Sequence, residues 1–220
     1  MKSVSYCYDT VFIMQQTTPR ENILRKIRQA LTTPTAIPFP QQEGNDGSFK
    51  PPTDELAILF AEKFTSLQGK FCYCESKEEL LQQLQHLVQQ QALTNVYVAE
   101  QALQQLLAQA NIITADSQLA SCHASITSCQ ALIARTGSMV LTSNNQSGRT
   151  TSVYAPIHIC IAYTNQLVYD IKDGLQLFKH SNYPSFFTLA TGPSRTADIE
   201  KTLVVGVHGP KEVYCFLVEE

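Results

Sequence analysis

In the middle of the chain leucines recur at helical spacing and glutamines fill the positions between them. Leu80, Leu84 and Leu87, and then Leu103, Leu106 and Leu107, each trace one apolar stripe. The spacing predicts helices from Lys77 to Gln91 and from Gln101 to Gln109, with glutamine as solvent-facing filler rather than a low-complexity tract. Ser76 and Glu79 form a capping box at the start of the first helix. An earlier helix is expected from Asp54 to Leu67, ending at Gly69. Apolar runs too short for helices, Phe71 to Cys74, Val96 to Ala99 and Ile112-Ile113-Thr114, read as strands. Strand and helix thus alternate, and the predicted fold class is α/β, a largely parallel sheet flanked by helices.

From Ser125 onward the apolar runs shorten. Strands are expected at Ile126 to Thr127, Ser138 to Thr142, His158 to Tyr163, Phe186 to Leu189 and Val213 to Val218, the last two as buried strands. A brief helix is expected around Cys129 to Ala134 and another from Ile171 to Lys179, with turns at Asn144 to Gly148 and at Asn165-Gln166. At the other end, Thr18, Pro19 and Glu21 supply an N-cap, a first helical residue and a capping-box acid, which predicts a helix from Pro19 to Leu31. Thr32 to Pro52 is rich in Pro, Gly, Gln and Asp and reads as an extended arm that a partner would order. The expected organisation is an N-terminal helix and arm over residues 1–52 and one α/β domain over 53–220.

At 220 residues, 44% hydrophobic and 16% charged, the chain can bury a full core without disulfides or a structural metal. Its net charge of -3 carries no electrostatic footprint for nucleic acid. No apolar run is long enough for a membrane span and the start lacks the apolar core of a signal peptide, so a cytoplasmic location is expected. Seven cysteines, scattered and mostly inside apolar runs, read as reduced, buried thiols. Cys72 and Cys74 share a strand face with no further ligands nearby, so no iron–sulfur cluster is expected, and no histidine or cysteine spacing suggests a metal.

The candidate chemistry lies in the C-terminal half. A glycine-containing turn at Thr191-Gly192-Pro193-Ser194, read as opening a helix, can surround a carboxylate or phosphate with backbone N–H groups, aided by the side chains of Ser194, Arg195 and Thr196. His208, between Gly206 and Gly209-Pro210, is either an imidazole aimed into a cleft, and then a candidate catalytic proton carrier, or a turn-stabilising hydrogen-bond partner. Asp198 and Glu200 either cap that expected helix or take part in catalysis. Thr136, Gly137 and Ser138 form a turn into a strand whose hydroxyls either cap it or bind a ligand oxygen. Arg149, after a flexible loop, is a mobile anion clamp or a solvated charge. His158, between apolar neighbours, reads as a core histidine bonded to a carbonyl.

Five short motifs in order carry a further reading: Ala134-Arg135-Thr136-Gly137-Ser138, Gly148-Arg149, Pro156-Ile157-His158-Ile159, Thr191-Gly192-Pro193-Ser194 with Ala197-Asp198-Ile199-Glu200, and Gly206-Val207-His208-Gly209-Pro210. Together they resemble the lactate-utilisation (LUD) domain family. The resemblance implies a fold similar to the sugar-phosphate isomerase and CoA-transferase superfamily, with the ligand site at the strand C-termini. It implies as well a non-redox subunit that helps oxidise L-lactate to pyruvate beside iron–sulfur partner proteins, which carry the clusters while this chain binds no cofactor. Thr136, Gly137, Ser138, Arg149, Thr191, Gly192, Ser194, Arg195, Asp198 and Gly209 would then hold a small carboxylate or phosphate, with His208 as the proton carrier. Arg135 stands where the family commonly carries an acidic residue, which points to pairing with an anion rather than acyl transfer. The alternative is a regulatory or assembly module that binds a sugar phosphate or another anion without turnover.

Overall fold

The computed structural model describes residues 19–31, 55–112, 114, 119–178, 183–199 and 202–220. The chain divides into two units, Met1–Lys50 and Pro51–Glu220. In the first, helix α1 (Pro19–Leu31) places Glu21 in its first turn and Arg28 in its last, charges that complement the helix dipole. The arm expected over 32–52 lies outside the described residues.

The second unit begins with α2 (Leu56–Ser66), β1 (Lys70–Cys74), α3 (Lys77–Gln90), β2 (Val96–Val98), α4 (Gln101–Gln109) and β3 (Ala124–Ser128). A hairpin of β4 (Ala131–Ile133) and β5 (Ser138–Thr142) follows, then α5 (Thr151–Tyr154), β6 (Ile157–Tyr163), β7 (Leu167–Val168) and α6 (Ile171–Gln176). The chain closes with β8 (Phe187–Ala190), β9 (Arg195–Ile199), β10 (Thr202–Val205) and β11 (Glu212–Val218). Five strands form a wholly parallel sheet in the order β1-β11-β6-β3-β2. Four more form a smaller sheet, β7-β4-β5-β8, and β9 and β10 make a hairpin of their own.

Strand alternation splits the core in two. Val98, Ile126, Ile159 and Phe216 face the leucine stripes of α3 and α4. Cys160, Cys215 and Leu217 face the other way, against Phe60 and Phe64 of α2 and Leu132 and Met139 of the small sheet. Phe178, just past α6, closes the outer side of the small sheet against Ala131, Ile133 and Val140. Cys74, Cys122, Cys129, Cys160 and Cys215 are buried free thiols, and burial with the adjacent Cys72 pushes Cys74 up to about 12, so it stays protonated.

Three helices end in the same cap. In α2 the N–H of Gln68 donates to the carbonyl of Thr65 and that of Gly69 to the carbonyl of Phe64, the Schellman pattern. Ala92 and Leu93 repeat it at the end of α3, and Asn111 and Ile112 at the end of α4. The left-handed residue is Gln68, Ala92 or Asn111, never glycine, with φ of 69°, 50° and 51°. Gly69 serves differently: a Cβ there would run into the Phe64 ring.

Several expectations are corrected. Ile112 is spent on the α4 cap, and Thr114 makes an isolated bridge to Val96, so neither belongs to a strand, while Ile113 lies outside the described residues. Residues 129–134 are no helix: Ala131, Leu132 and Ile133 are buried on both faces and pair antiparallel with β5. The turn at 191–194 opens a strand and not a helix, because Arg195–Ile199 pairs with the β-branched run Thr202–Val205. Asp198 therefore lies in a strand rather than at the start of a helix, while Glu200 lies outside the described residues. β8, expected to be buried, is an edge strand whose Phe187 is exposed.

Leu84, fully buried between α3 and the parallel sheet, tests this layering. Leu84→Ala is expected to cost about 3 kcal/mol through lost burial and a residual cavity, read as a lower urea midpoint at unchanged slope.

Candidate functional site

The parallel sheet has two ends, and the structure distributes the expected site residues between them. Gly69 precedes β1, Pro156 precedes β6 and Lys211 precedes β11, so the loops that meet there lie at the strand N-terminal ends. The resemblance implied a ligand site at the opposite end of the strands, whereas the 191–195 and 206–210 loops lie at this end. Arg149 alone falls near the C-terminal end, in the loop after β5.

At the N-terminal end the loops close around the last turn of α2. Gly137, at φ 62°, brings the turn so near that a Cβ would lie 2.5 Å from the Phe64 nitrogen. Gly192, at φ 98°, sits where a Cβ would meet the Leu67 carbonyl oxygen at 2.7 Å. The same oxygen accepts from Arg195 Nη2 at 3.0 Å, a cation at a helix C-terminus. Thr136 and Ser138 share a hydrogen bond of 2.8 Å, and Ser138 and Thr191 share one of 3.0 Å, so three expected ligand hydroxyls form one chain. The Ser194 N–H donates to the Pro210 carbonyl, its own carbonyl accepts from Gly206, and Gly209 packs against its side chain. Arg135 does not await an external anion: its Nη2 donates to Asp170 Oδ1 at 2.8 Å, which holds that carboxyl below its ordinary range.

Beside this interlock is an open cleft of about 310 Å³ lined by Tyr154, Pro156, Gly206, His208, Gly209 and Lys211, among others. Gly206, at φ 78°, lets the Lys211 stem lie across the turn. Lys211 makes no ion pair among the described residues. A cation, an imidazole and a phenol around a space of this size suit a small carboxylate.

The C-terminal end holds a group that sequence reasoning did not single out. Glu100, two residues beyond β2, is 9% exposed. It accepts from the Ser128 N–H at 2.9 Å, Ser128 Oγ at 2.6 Å and Ser147 Oγ at 2.5 Å. Asn145 Nδ2 donates to Ser128 Oγ and Gln130 donates to Asn145. A carboxylate just past Val96-Tyr97-Val98 was the available signal, since α/β sheets present ligand sites beyond strand C-termini. Arg149, in the same loop as Ser147, is exposed; it donates to the Ser185 carbonyl and hydroxyl and lies over Phe186, and it is not among the residues lining the His208 cleft. Deeper in, Thr127 and His158 share a buried hydrogen bond of 2.9 Å, a hydroxyl partner where a carbonyl was expected.

Residues 58–218 match the LUD domain family. An uncharacterized protein of Neisseria meningitidis is 35% identical over 92 residues, 41% of this chain and 40% of that protein. Proteins named lactate utilization protein C are similar too: that of Anoxybacillus flavithermus is 34% identical over 40% of each chain, and that of Bacillus subtilis 33% identical over 43% of this chain and 42% of its own. Each match thus spans about two fifths of the curated relative. A DUF162 family protein from Deinococcus radiodurans shares the fold, with TM-score 0.55 and 17% identity over 76% of this chain and 99% of that one.

Two outcomes follow. Gly137→Ala meets both a left-handed backbone and the Phe64 nitrogen, so it is expected to destabilise by more than about 3 kcal/mol, against about 1 kcal/mol for Gly148→Ala, which has the same φ of 62° but open space; paired thermal melts measure the contrast. Burial lowers His158 from 6.5 to about 4, so the unfolded chain binds the extra proton. Stability is complete above pH 6.5 and falls by up to about 3 kcal/mol as pH drops through 4; in His158→Gln that part of the pH dependence of unfolding disappears.

Proposed function

The chain belongs to the LUD domain family, and from that premise we propose that it serves lactate utilisation, contributing to the oxidation of L-lactate to pyruvate together with iron–sulfur partner proteins. Relatives named lactate utilization protein C support the reading. The observation that carries it is the cleft at the N-terminal ends of β6 and β11, where His208 and Lys211 line one space. In this role Lys211 receives the lactate carboxylate as a charge-assisted hydrogen bond. Tyr154 and His208 meet the oxygen on the neighbouring carbon, and His208 takes the hydroxyl proton as that carbon is oxidised. The carbinol C–H bond breaks as the C=O bond forms, and its hydrogen leaves with the two electrons to the redox centres of the partner proteins, which this chain serves by binding and orienting the substrate.

Deleting the gene is expected to abolish growth on L-lactate, with growth restored by the native chain and not by Lys211→Ala. With the purified protein, L-lactate or pyruvate should raise the melting temperature, and Lys211→Ala should weaken that binding at least about tenfold, the worth of one charged hydrogen bond. Undiminished growth of the deletion strain contradicts the role. A shift with sugar phosphates and with neither lactate nor pyruvate moves the assignment to an anion-binding regulatory or assembly module.

A further inference from the structure

At the opposite end of the sheet, Thr127, Ser128, Thr142, Asn145, Ser147 and Ser152 are among the residues lining a second, much smaller cavity. Its volume of about 10 Å³ holds a single water-sized sphere. Thr142 is 3% exposed, and its hydroxyl oxygen is buried without a hydrogen-bond partner. Ser128 and Ser147 both donate their hydroxyl protons to the Glu100 carboxylate, which is not among the lining residues. What these two hydroxyls have left to offer is oxygen lone pairs, one of which on Ser128 is taken by Asn145.

The wall is therefore rich in acceptors, and a buried carboxylate stands directly behind it. Glu100 has no ion pair among the described residues. Buried charges are otherwise paired with an opposite charge or held against a cation. The Glu100 carboxylate and the acceptor lone pairs disfavour a carboxylate or phosphate, and the space suits an ion about the size of a water molecule. Among the described residues no three His, Cys, Asp or Glu side chains gather as a transition-metal site requires. We infer that this cavity is a monovalent-cation site. It takes one alkali or ammonium ion against the oxygens of Ser128, Thr142 and Ser147, with Glu100 supplying the balancing charge from behind.

The test is the melting temperature of the full chain in sodium, potassium, ammonium and choline chlorides at equal ionic strength, choline being too large to enter. One of the three small cations is expected to raise the midpoint saturably, by roughly 5 °C at about a hundredfold its dissociation constant. Its identity separates an alkali ion from ammonium. Thr142→Val keeps the shape and removes only the hydroxyl, and Glu100→Gln removes the charge. Both should lose the cation-dependent rise, with Thr142→Val still melting cooperatively in choline chloride. Equal midpoints in all four salts, or a rise that survives in Thr142→Val, would overturn the assignment.

Discussion

The last turn of α2 is the point on which the rest of the domain closes. Its Schellman cap uses the carbonyls of Phe64 and Thr65 internally, which leaves the Leu67 carbonyl for Arg195. Gly137 and Gly192 then approach so closely that neither position has room for a side chain. Chain segments far apart in sequence are thereby pinned to one helix end: the β4–β5 turn, the turn after β8 and the start of β9. The residues between β10 and β11 are fastened to the same place through Ser194, whose backbone bonds both Gly206 and Pro210. An interlock of backbone against backbone tolerates no loosening, because interiors packed at this density transmit displacement rather than absorb it.

This constraint divides the family's residues by task. Thr136, Ser138, Thr191, Gly192 and Arg195 satisfy one another or the helix end, so their first role is to hold the loop that carries His208 and Lys211. Those two side chains line the open cleft, His208 from the last motif and Lys211 immediately beyond it. At the other end of the sheet, Glu100 and its serines occupy the position where parallel α/β sheets usually present a ligand site. Two polar centres thus stand toward opposite ends of one sheet, with α5 contributing Ser152 to one and Val153 and Tyr154 to the other.

Much of this was legible in the sequence, and what was not has physical causes. The leucine stripes of α3 and α4, the Ser76 cap, and β5 at Ser138 to Thr142 follow from periodicity and capping alone. The helix ends were harder, because Gln68, Ala92 and Asn111 adopt the left-handed conformation that sequence reasoning assigns to glycine. Tertiary pairing overrode local pattern at 131–133 and 195–199, where strands formed against partners that no local window contains. Arg135 and Asp170 are 35 positions apart, and Glu100 meets Ser147 across 47. Neither pairing leaves a trace in spacing, since each residue alone is an ordinary polar side chain near a turn.

The central claim is that the ligand of this domain binds at the N-terminal ends of β6 and β11. Hydrogen–deuterium exchange of the full chain with and without saturating L-lactate reads this most directly. The account predicts slowed exchange at 154–158 and 205–212, with the backbone around Glu100 and 143–149 unchanged. Protection confined to 98–101 and 127–149 would place the ligand at the other end of the sheet and contradict it.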